Sequence, residues 1–361
     1  MKAAVLRAFK TPLTIEDVEL ASPGPREVLV RTHACGVCHS DLHVLEGSIP
    51  VPLPTALGHE PAGIVEEVGR DVTYLRPGDP VIACLSVFCG VCDYCLSGRT
   101  NLCGGMATTR KPGEPPRISK NGEPIGQFAH LSGFAERMLV HENALVKIRP
   151  DMPLEQAALI GCGVTTGMGA ALNTAQIAPG SSVAVIGCGG VGLSALQGAR
   201  IAGAGRIIAV DTVPWKLDLA RKLGASDAVN AKDGDPVAAV RELTSGGVET
   251  AFECIGTAPT VQQAAAMVRR GGTAVLVGVV PIGVEVPLRI FDLVLQGKRL
   301  IGSMMGDNRF RIDMPRYCDF YLDGRLRLDE MISARIRLED VNDSFEKMKA
   351  GAVARSVIVF D

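Results

Sequence analysis

Ser182-Val183-Ala184-Val185-Ile186 runs straight into Gly187-Cys188-Gly189-Gly190-Val191-Gly192, and this passage decides how the chain is read. Its first half is a continuous apolar run of buried-strand length. Its second half is G-x-G-x-x-G, opening a helix over Val191–Ala202 that stops at Gly203. The glycines serve a tight turn, a close approach of backbone to a pyrophosphate, and packing of helix on sheet. The helix N-terminus favours the phosphate charge. Alone the pattern is weak; between a strand and a helix it reads as a dinucleotide fingerprint, carried by Gly187, Gly189, Gly190 and Gly192.

Downstream the rhythm continues. Arg206–Val210 reads as a strand and Pro214–Leu223 as a helix with proline in its first turn. Thr250–Glu253 and Thr273–Val277 read as further strands, separated by a helix ending near Arg270. Such alternation implies an α/β unit with a doubly wound parallel sheet. Asp211 follows the second strand, where a carboxylate would hydrogen-bond both ribose hydroxyls and repel a 2′-phosphate, so NAD is expected rather than NADP.

Upstream, from Met1 to about Pro150, short β-prone runs such as Val28-Leu29-Val30, Gly63-Ile64-Val65 and Val81-Ile82-Ala83 are cut by Gly and Pro. They predict an irregular, barrel-like β domain, with Pro77-Gly78-Asp79 as a turn and Lys111–Gly126 as an exposed excursion. After about Ser303 the chain turns polar and amphipathic and closes on a strand, Arg355–Phe360. The expected domains are 1–163 with 304–361, carrying a lobe at 86–104, and 164–303 for the dinucleotide.

The 361 residues suffice for two cores, and a formal charge of -2 leaves no basic surplus for nucleic acid. No apolar stretch has bilayer length and no signal-peptide core appears, so no membrane partner and a cytoplasmic location are expected. Eleven cysteines in such a chain point to metal or chemistry rather than disulfides. Cys35, Cys84, Cys188, Cys254 and Cys318 read as buried small hydrophobes.

Cys89-Gly90-Val91-Cys92-Asp93-Tyr94-Cys95, with Cys103 following, gives C-x2-C-x2-C-x7-C. Four thiolates at these spacings wrap one zinc with no water position, a structural site; an iron-sulfur cluster is the chemical alternative. Cys38, His59 and Cys162 offer two sulfurs and one nitrogen, which is a catalytic zinc set with an open fourth position. Taken singly, Cys162 also reads as a core thiol and His59 as a loop histidine. His59 and Cys162 adjoin glycine, and Cys38 lies two residues from Gly36 and from Ser40, as ligands on loops between strands should.

With Cys38-His39-Ser40-Asp41, Gly58-His59-Glu60-Pro61-Ala62-Gly63, the four-cysteine lobe, Gly161–Gly167 and the glycine fingerprint in this order, the chain resembles the zinc-containing medium-chain alcohol dehydrogenases. The resemblance implies a GroES-like β-barrel catalytic domain beside a Rossmann domain, two zinc ions per chain, and NAD. It implies Lewis-acid action of zinc on an alcohol oxygen, hydride transfer to nicotinamide, and a proton relay from Ser40 through the ribose to His43. Imidazole suits the last station of such a relay. Asp41 matches a carboxylate that orients the histidine ligand. Glu60 reads either as a group that approaches the metal or as a buried, ion-paired glutamate.

By the same resemblance Lys216 meets the adenosine ribose, His39 and Arg355 the pyrophosphate, and Thr166 and Val191 the nicotinamide. Leu85, Phe128 and Ala129 line a roomy apolar pocket with Ser40, which implies primary medium-chain or aromatic alcohols and their aldehydes. Family members pair through a sheet edge, so a homo-oligomer is expected, a dimer before a tetramer.

The alternatives are a glutathione-dependent formaldehyde dehydrogenase-like enzyme, an alcohol dehydrogenase that keeps its NAD bound, and a catalytically silent dinucleotide-binding protein. The first shares the Cys38 layout and the long loop after Cys103. It usually has Thr where Ser40 stands, and a carboxylate where Gly47-Ser48-Ile49 offers none. Cys162 speaks against polyol dehydrogenases, which use a carboxylate there.

Overall fold

Strands covered on both faces must be apolar throughout, and the run around Val183 meets that condition. In the computed structural model, which describes residues 1–105, 108–111 and 113–360, Val183, Ala184 and Val185 are fully buried. Pro112, inside the expected excursion, and Asp361, at the end of the expected segment 304–361, lie outside the described residues.

Six strands make the parallel sheet: Ser182–Ile186, Arg206–Asp211, Asp227–Asn230, Val248–Glu253, Val268–Leu276 and Arg299–Gly302. Numbered within this sheet, their spatial order is 3-2-1-4-5-6, the doubly wound dinucleotide order. The order reverses between Ser182–Ile186 and Val248–Glu253, so the crevice where such sheets bind ligands opens at Gly187. Helix Gly190–Ile201 buries Leu193, Ala195, Leu196 and Ala199, and Pro214–Leu223 is helical as its sequence requires. The helix expected to end near Arg270 differs: Ala258–Met267 stops early, and Val268 already pairs with Val248. A register shift between that pair and Thr250–Thr273 takes up Gly271-Gly272 within the strand. This unit comprises Gly163–Asn308 and Arg325–Glu330.

The other unit comprises Met1–Cys162, Arg309–Gly324 and Met331–Asp361. Its organising element is the strand Glu27–Val37, which pairs antiparallel with Glu60–Val68, Arg137–His141 and the C-terminal strand Arg355–Val359. Helix Val341–Lys349 turns Val341, Phe345 and Met348 into a core that also holds Leu6, Val37, Leu42 and Phe134. Gly78 has φ +90 in the turn before strand Pro80–Ala83, a conformation that glycine adopts without strain.

Lys111–Gly126 is more than an exposed excursion. Ile118–Lys120 and Glu123–Gln127 are strands, and Ile118 and Ile125 are buried. Charge pairing fastens this region down. Arg117 Nε donates to Glu27 Oε1 at 2.7 Å, and Arg110 Nη2 to Glu27 Oε2 at 2.5 Å. Burial of the Glu27 carboxyl raises its pKa, but the two guanidinium groups and the Gly24 N–H outweigh that and hold it down to about 2. Among the described residues no helix is long and apolar enough to cross a membrane.

A carboxyl with a depressed folded pKa stabilises fully above its unfolded value and loses that contribution as pH falls toward the folded one. Stability should therefore drop between about pH 4.5 and 2. Glu27→Gln should cost about 3 kcal/mol at neutral pH by stranding buried Arg117 and half-buried Arg110. It should also flatten that acid limb in thermal unfolding followed by circular dichroism; an acid limb of unchanged slope would disprove the assignment.

Candidate functional site

Strand Glu27–Val37 ends at Cys38, which caps the short helix His39–Leu45. That helix places Asp41 one turn in, where its carboxylate reaches back. The Cys38 N–H donates to Oδ2 at 3.3 Å, and the Gly58 N–H and His59 Nδ1–H both donate to Oδ1 at 3.0 Å. Gly58 has φ +91 and a Cβ there would lie 2.3 Å from Phe134 N, so only glycine lets His59 enter strand Glu60–Val68 at this point. Cys162 departs from the expectation of a loop between strands. It sits in the π-helical turn Ile160–Val164 that continues helix Leu154–Leu159. Gly161 allows this turn to pack closely, a Cβ there lying 3.1 Å from Ala83 O.

The ligand atoms of Cys38, His59, Glu60 and Cys162 all lie within 4.8 Å of one another, and all four residues are buried. A carboxylate only accepts, so Nδ1 of His59 carries its hydrogen toward Asp41 and Nε2 is the nitrogen left for a metal. Nε2 is buried with no hydrogen-bond partner. Burial disfavours the His59 cation, yet Asp41 and Cys38 hold its pKa up to about 10. The Cys38 thiol is held well below its ordinary range by its hydrogen bond with Cys162, against burial, with His59 adding to the effect. Anionic sulfur beside an orphaned buried nitrogen is what a zinc ion replaces protons in, so the residues fit the metal. Glu60 forms a buried ion pair with Arg355. Gly36 makes room for it, since a Cβ there would sit 2.1 Å from Glu60 Oε2.

Ser40 Oγ is 3.9 Å from Cys38 Sγ, and the half-buried His43 ring lies 6.5 Å from that of the exposed His39. Phe128 meets the His59 ring edge-on at 5.3 Å, with Ala129 next in a left-handed conformation. Leu85 is half-buried against the core around Val65 and Val87.

The four sulfurs of the lobe also cluster: Cys92–Cys95 3.5 Å, Cys92–Cys103 3.8 Å and Cys89–Cys95 3.9 Å. A tetrahedron with zinc–sulfur bonds of 2.3 Å has edges of about 3.8 Å, so the set is already spaced for the ion. N–H groups of Val91 and Cys92 stabilise the Cys89 thiolate, bringing its pKa down to about 6, while burial pushes Cys95 up to about 12. Of the five other thiols, Cys35, Cys84, Cys188 and Cys318 are buried, but Cys254 is only half so.

In the parallel-sheet unit, Gly187 turns at φ +92, and a Cβ at Gly192 would lie 1.7 Å from Gly187 O. A Cβ at Gly189, by contrast, would meet nothing within 4 Å, which leaves a cradle of bare backbone at the helix N-terminus. Asp211 is fixed at the strand end by the N–H groups of Cys188, Thr212 and Val213 at 2.7, 2.7 and 2.9 Å. The fit to a dinucleotide lies in that open cradle beside an anchored carboxylate. Gly190 and Val191 open the helix, Thr166 Oγ1 donates to Met305 Sδ at 3.2 Å, and the Lys216 ammonium lies 5.7 Å from the Trp215 ring centre.

Sequence reasoning missed Glu253. Its Oε1 accepts from Ile255 N, Gly256 N and Thr260 Oγ1, and its backbone oxygen from Val277 N and Gly278 N. This residue pins two strand-end loops together at the edge where the crevice opens. The available signal was a carboxylate closing an apolar strand, as Asp211 does.

Residues 24–150 match the family described as alcohol dehydrogenase GroES-like domain, and residues 190–321 match zinc-binding dehydrogenase. The S-(hydroxymethyl)glutathione dehydrogenase of Synechocystis is 42% identical over 365 residues, covering 99% of each chain. The protein of the same name from Escherichia coli gives the same identity and coverage, 42% and 99% of each chain. The crystal structure of an alcohol dehydrogenase zinc-binding domain protein from Burkholderia ambifaria superposes with a TM-score of 0.95 at 37% identity, covering 100% of this chain and 98% of that one. Benzyl alcohol dehydrogenase from Acinetobacter calcoaceticus follows at 0.94 and 33%, covering 100% and 99%. With both domains matched, full-length relatives well above 30% identity and sulfur sites spaced for zinc, the chain belongs to the zinc-containing, NAD-dependent medium-chain alcohol dehydrogenase family.

Proposed function

We propose that this chain interconverts primary alcohols and aldehydes with NAD, and that its alcohol is the hydroxymethyl adduct of a glutathione-like thiol. The observation that carries the substrate is that relatives named for S-(hydroxymethyl)glutathione are 42% identical along 99% of the chain. The clustered Cys38, His59 and Cys162 support the chemistry. A second reading, simple aromatic or medium-chain alcohols, is favoured by the likeness to benzyl alcohol dehydrogenase and by apolar Leu85, Phe128 and Ala129.

Zinc bound by Cys38, His59 and Cys162 supplies Lewis-acid polarisation of the alcohol oxygen. NAD supplies the hydride acceptor. Asp41 fixes the tautomer and the angle of His59. The Ser40 hydroxyl takes the alcohol proton, and His43 passes it to solvent. Arg355 neutralises Glu60 in the protein interior and, with His39, serves the pyrophosphate. Gly187, Gly189, Gly190 and Gly192 cradle the phosphates, Asp211 and Lys216 hold the adenosine ribose, and Thr166 and Val191 flank the nicotinamide. Cys89, Cys92, Cys95 and Cys103 hold the second zinc. In this assignment 1–163 with 304–361 is catalytic and 164–303 binds NAD. Eleven cysteines without a disulfide, six of them assigned here to zinc, favour a reducing compartment such as the cytoplasm.

A homodimer through the edge strand Arg299–Gly302 is part of the proposal. In the segment that precedes this strand, Ile282, Phe291 and Val294 expose 82, 72 and 71% of their surface, apolar side chains that pairing would be expected to cover. A solution mass of one chain, measured by light scattering, would overturn it.

The substrate is tested by following reduced nicotinamide with S-(hydroxymethyl)glutathione and with benzyl alcohol. Higher kcat/KM for the adduct is expected, and a preference for benzyl alcohol would select the second reading. Asp211→Gly should lower the NAD-to-NADP ratio of kcat/KM by about tenfold or more, through loss of ribose hydrogen bonds and of charge repulsion. An unchanged ratio would show that another group reads the ribose.

A further inference from the structure

Strand Arg299–Gly302 leads into Met305-Gly306-Asp307, three successive residues with φ of +52, +66 and +45. Only the middle one is glycine. Met305 and Asp307 hold a left-handed backbone that residues with side chains rarely adopt, and only the surrounding contacts can keep them there. Those contacts come from one helical stretch of the same unit, Thr165–Gly169 and the turn Ala170–Thr174 that continues it. Gly306 packs backbone to backbone on this stretch: a Cβ there would lie 2.5 Å from Thr165 O and 2.8 Å from the Gly169 Cα.

Polar side chains complete the fastening. Asn173 Nδ2 donates to Gly306 O at 3.1 Å, and Asn308 Nδ2 to Met305 O at 2.8 Å. Thr174 Oγ1 donates to Asp307 Oδ2 at 2.6 Å; with its one hydrogen placed there, it accepts from Ser303 Oγ at 2.7 Å. Ser303 is tied in turn by its N–H to Leu276 O, at the end of the neighbouring strand. Two hydroxyls and a carboxylate thus close a clamp between segments 133 positions apart.

The clamp holds Met305, which is buried and whose Sδ accepts from Thr166 Oγ1 at 3.2 Å. Thioether sulfur is a weak acceptor, so this contact by itself does not fix the methionine in a left-handed backbone.

We propose that Asp307 is a positioning residue for the nicotinamide: through Thr174 it locks Met305 against Thr166 and so sets the wall on which the ring settles. The inference rests on the reading that Thr166 flanks the nicotinamide. A wall set before the cofactor arrives spares NAD the ordering of that wall, and the gain falls on the nicotinamide half of the molecule alone.

The test measures the dissociation constants of NADH and of ADP-ribose, which has no nicotinamide, on the zinc-loaded full chain by titration calorimetry. Asp307→Gly removes the carboxylate while glycine accepts the left-handed backbone, so the fold is spared. It should weaken NADH about tenfold, as expected for the loss of a hydrogen bond to a charged group, and leave ADP-ribose within about twofold. Thr174→Val, a nearly isosteric change that takes away both hydroxyl bonds, should do the same. Asp307→Asn, whose amide oxygen still accepts from Thr174 and whose backbone tolerates positive φ, should hold NADH within about threefold of the wild type. Unchanged NADH binding in Asp307→Gly or in Thr174→Val overturns the clamp. Equal weakening of NADH and ADP-ribose also overturns it, since that is what a merely structural role would give. Thr166→Ala reads the underlying assignment separately. A NADH-to-ADP-ribose ratio that it leaves unchanged removes Thr166 from beside the ring, and Asp307 is then judged by its own ratio. A ratio moved by Thr166→Ala but by neither Asp307→Gly nor Thr174→Val overturns the clamp alone.

Discussion

One carboxylate, that of Asp41, holds the candidate metal centre together. It accepts hydrogen bonds from the backbone of Cys38, the backbone of Gly58 and the ring of His59, in a place with no solvent exposure. Two ligands that approach from different strands are thereby fixed to the same rigid group. A carboxylate acceptor with no water to compete leaves Nδ1 of His59 only one role, so Nε2 is the nitrogen open to a metal. The buried pair Glu60–Arg355 performs a related service beneath it, keeping a carboxylate beside the ligands neutralised in the interior. Gly36 and Gly58 are the backbone side of the same constraint, because a methyl group at either would displace the groups that Asp41 and Arg355 position.

The dinucleotide unit uses backbone in place of side chains. Close approach at Gly192 and open space at Gly189 leave amide groups and a helix N-terminus facing the crevice. Asp211 and Glu253 close the strands on either side of Ser182–Ile186, and Asp211 spends both carboxylate oxygens, Glu253 its Oε1, on local N–H groups. The bonds to Asp211 and to Glu253 Oε1 set where the loops stand before any ligand arrives, which lowers the ordering cost of binding.

Charge also shapes the β unit away from the metal centre. Polar composition around Lys111 reads as solvent-exposed chain, yet Arg110 and Arg117 tether that region to Glu27, 83 and 90 positions earlier, and two strands form behind the tether. Composition reports what a segment carries, and the partner that neutralises it lies too far along the chain to be seen from composition.

What the sequence alone determined is everything set by local pattern. The run Ser182–Ile186, the glycines after it and the proline-led helix Pro214–Leu223 dictate a parallel, doubly wound unit, because strand, turn and helix propensities all act over a few residues. The spacing of Cys89, Cys92, Cys95 and Cys103 is local in the same sense. Tertiary structure decided the rest. It placed Cys162 on a π-helical turn beside Cys38 and His59, paired Arg355 with Glu60 across 295 positions, and brought Asp307 to Thr174 across 133. Juxtapositions of that kind depend on which strands pair and in what register, and pairing between distant segments leaves no periodic trace in the residues that end up side by side.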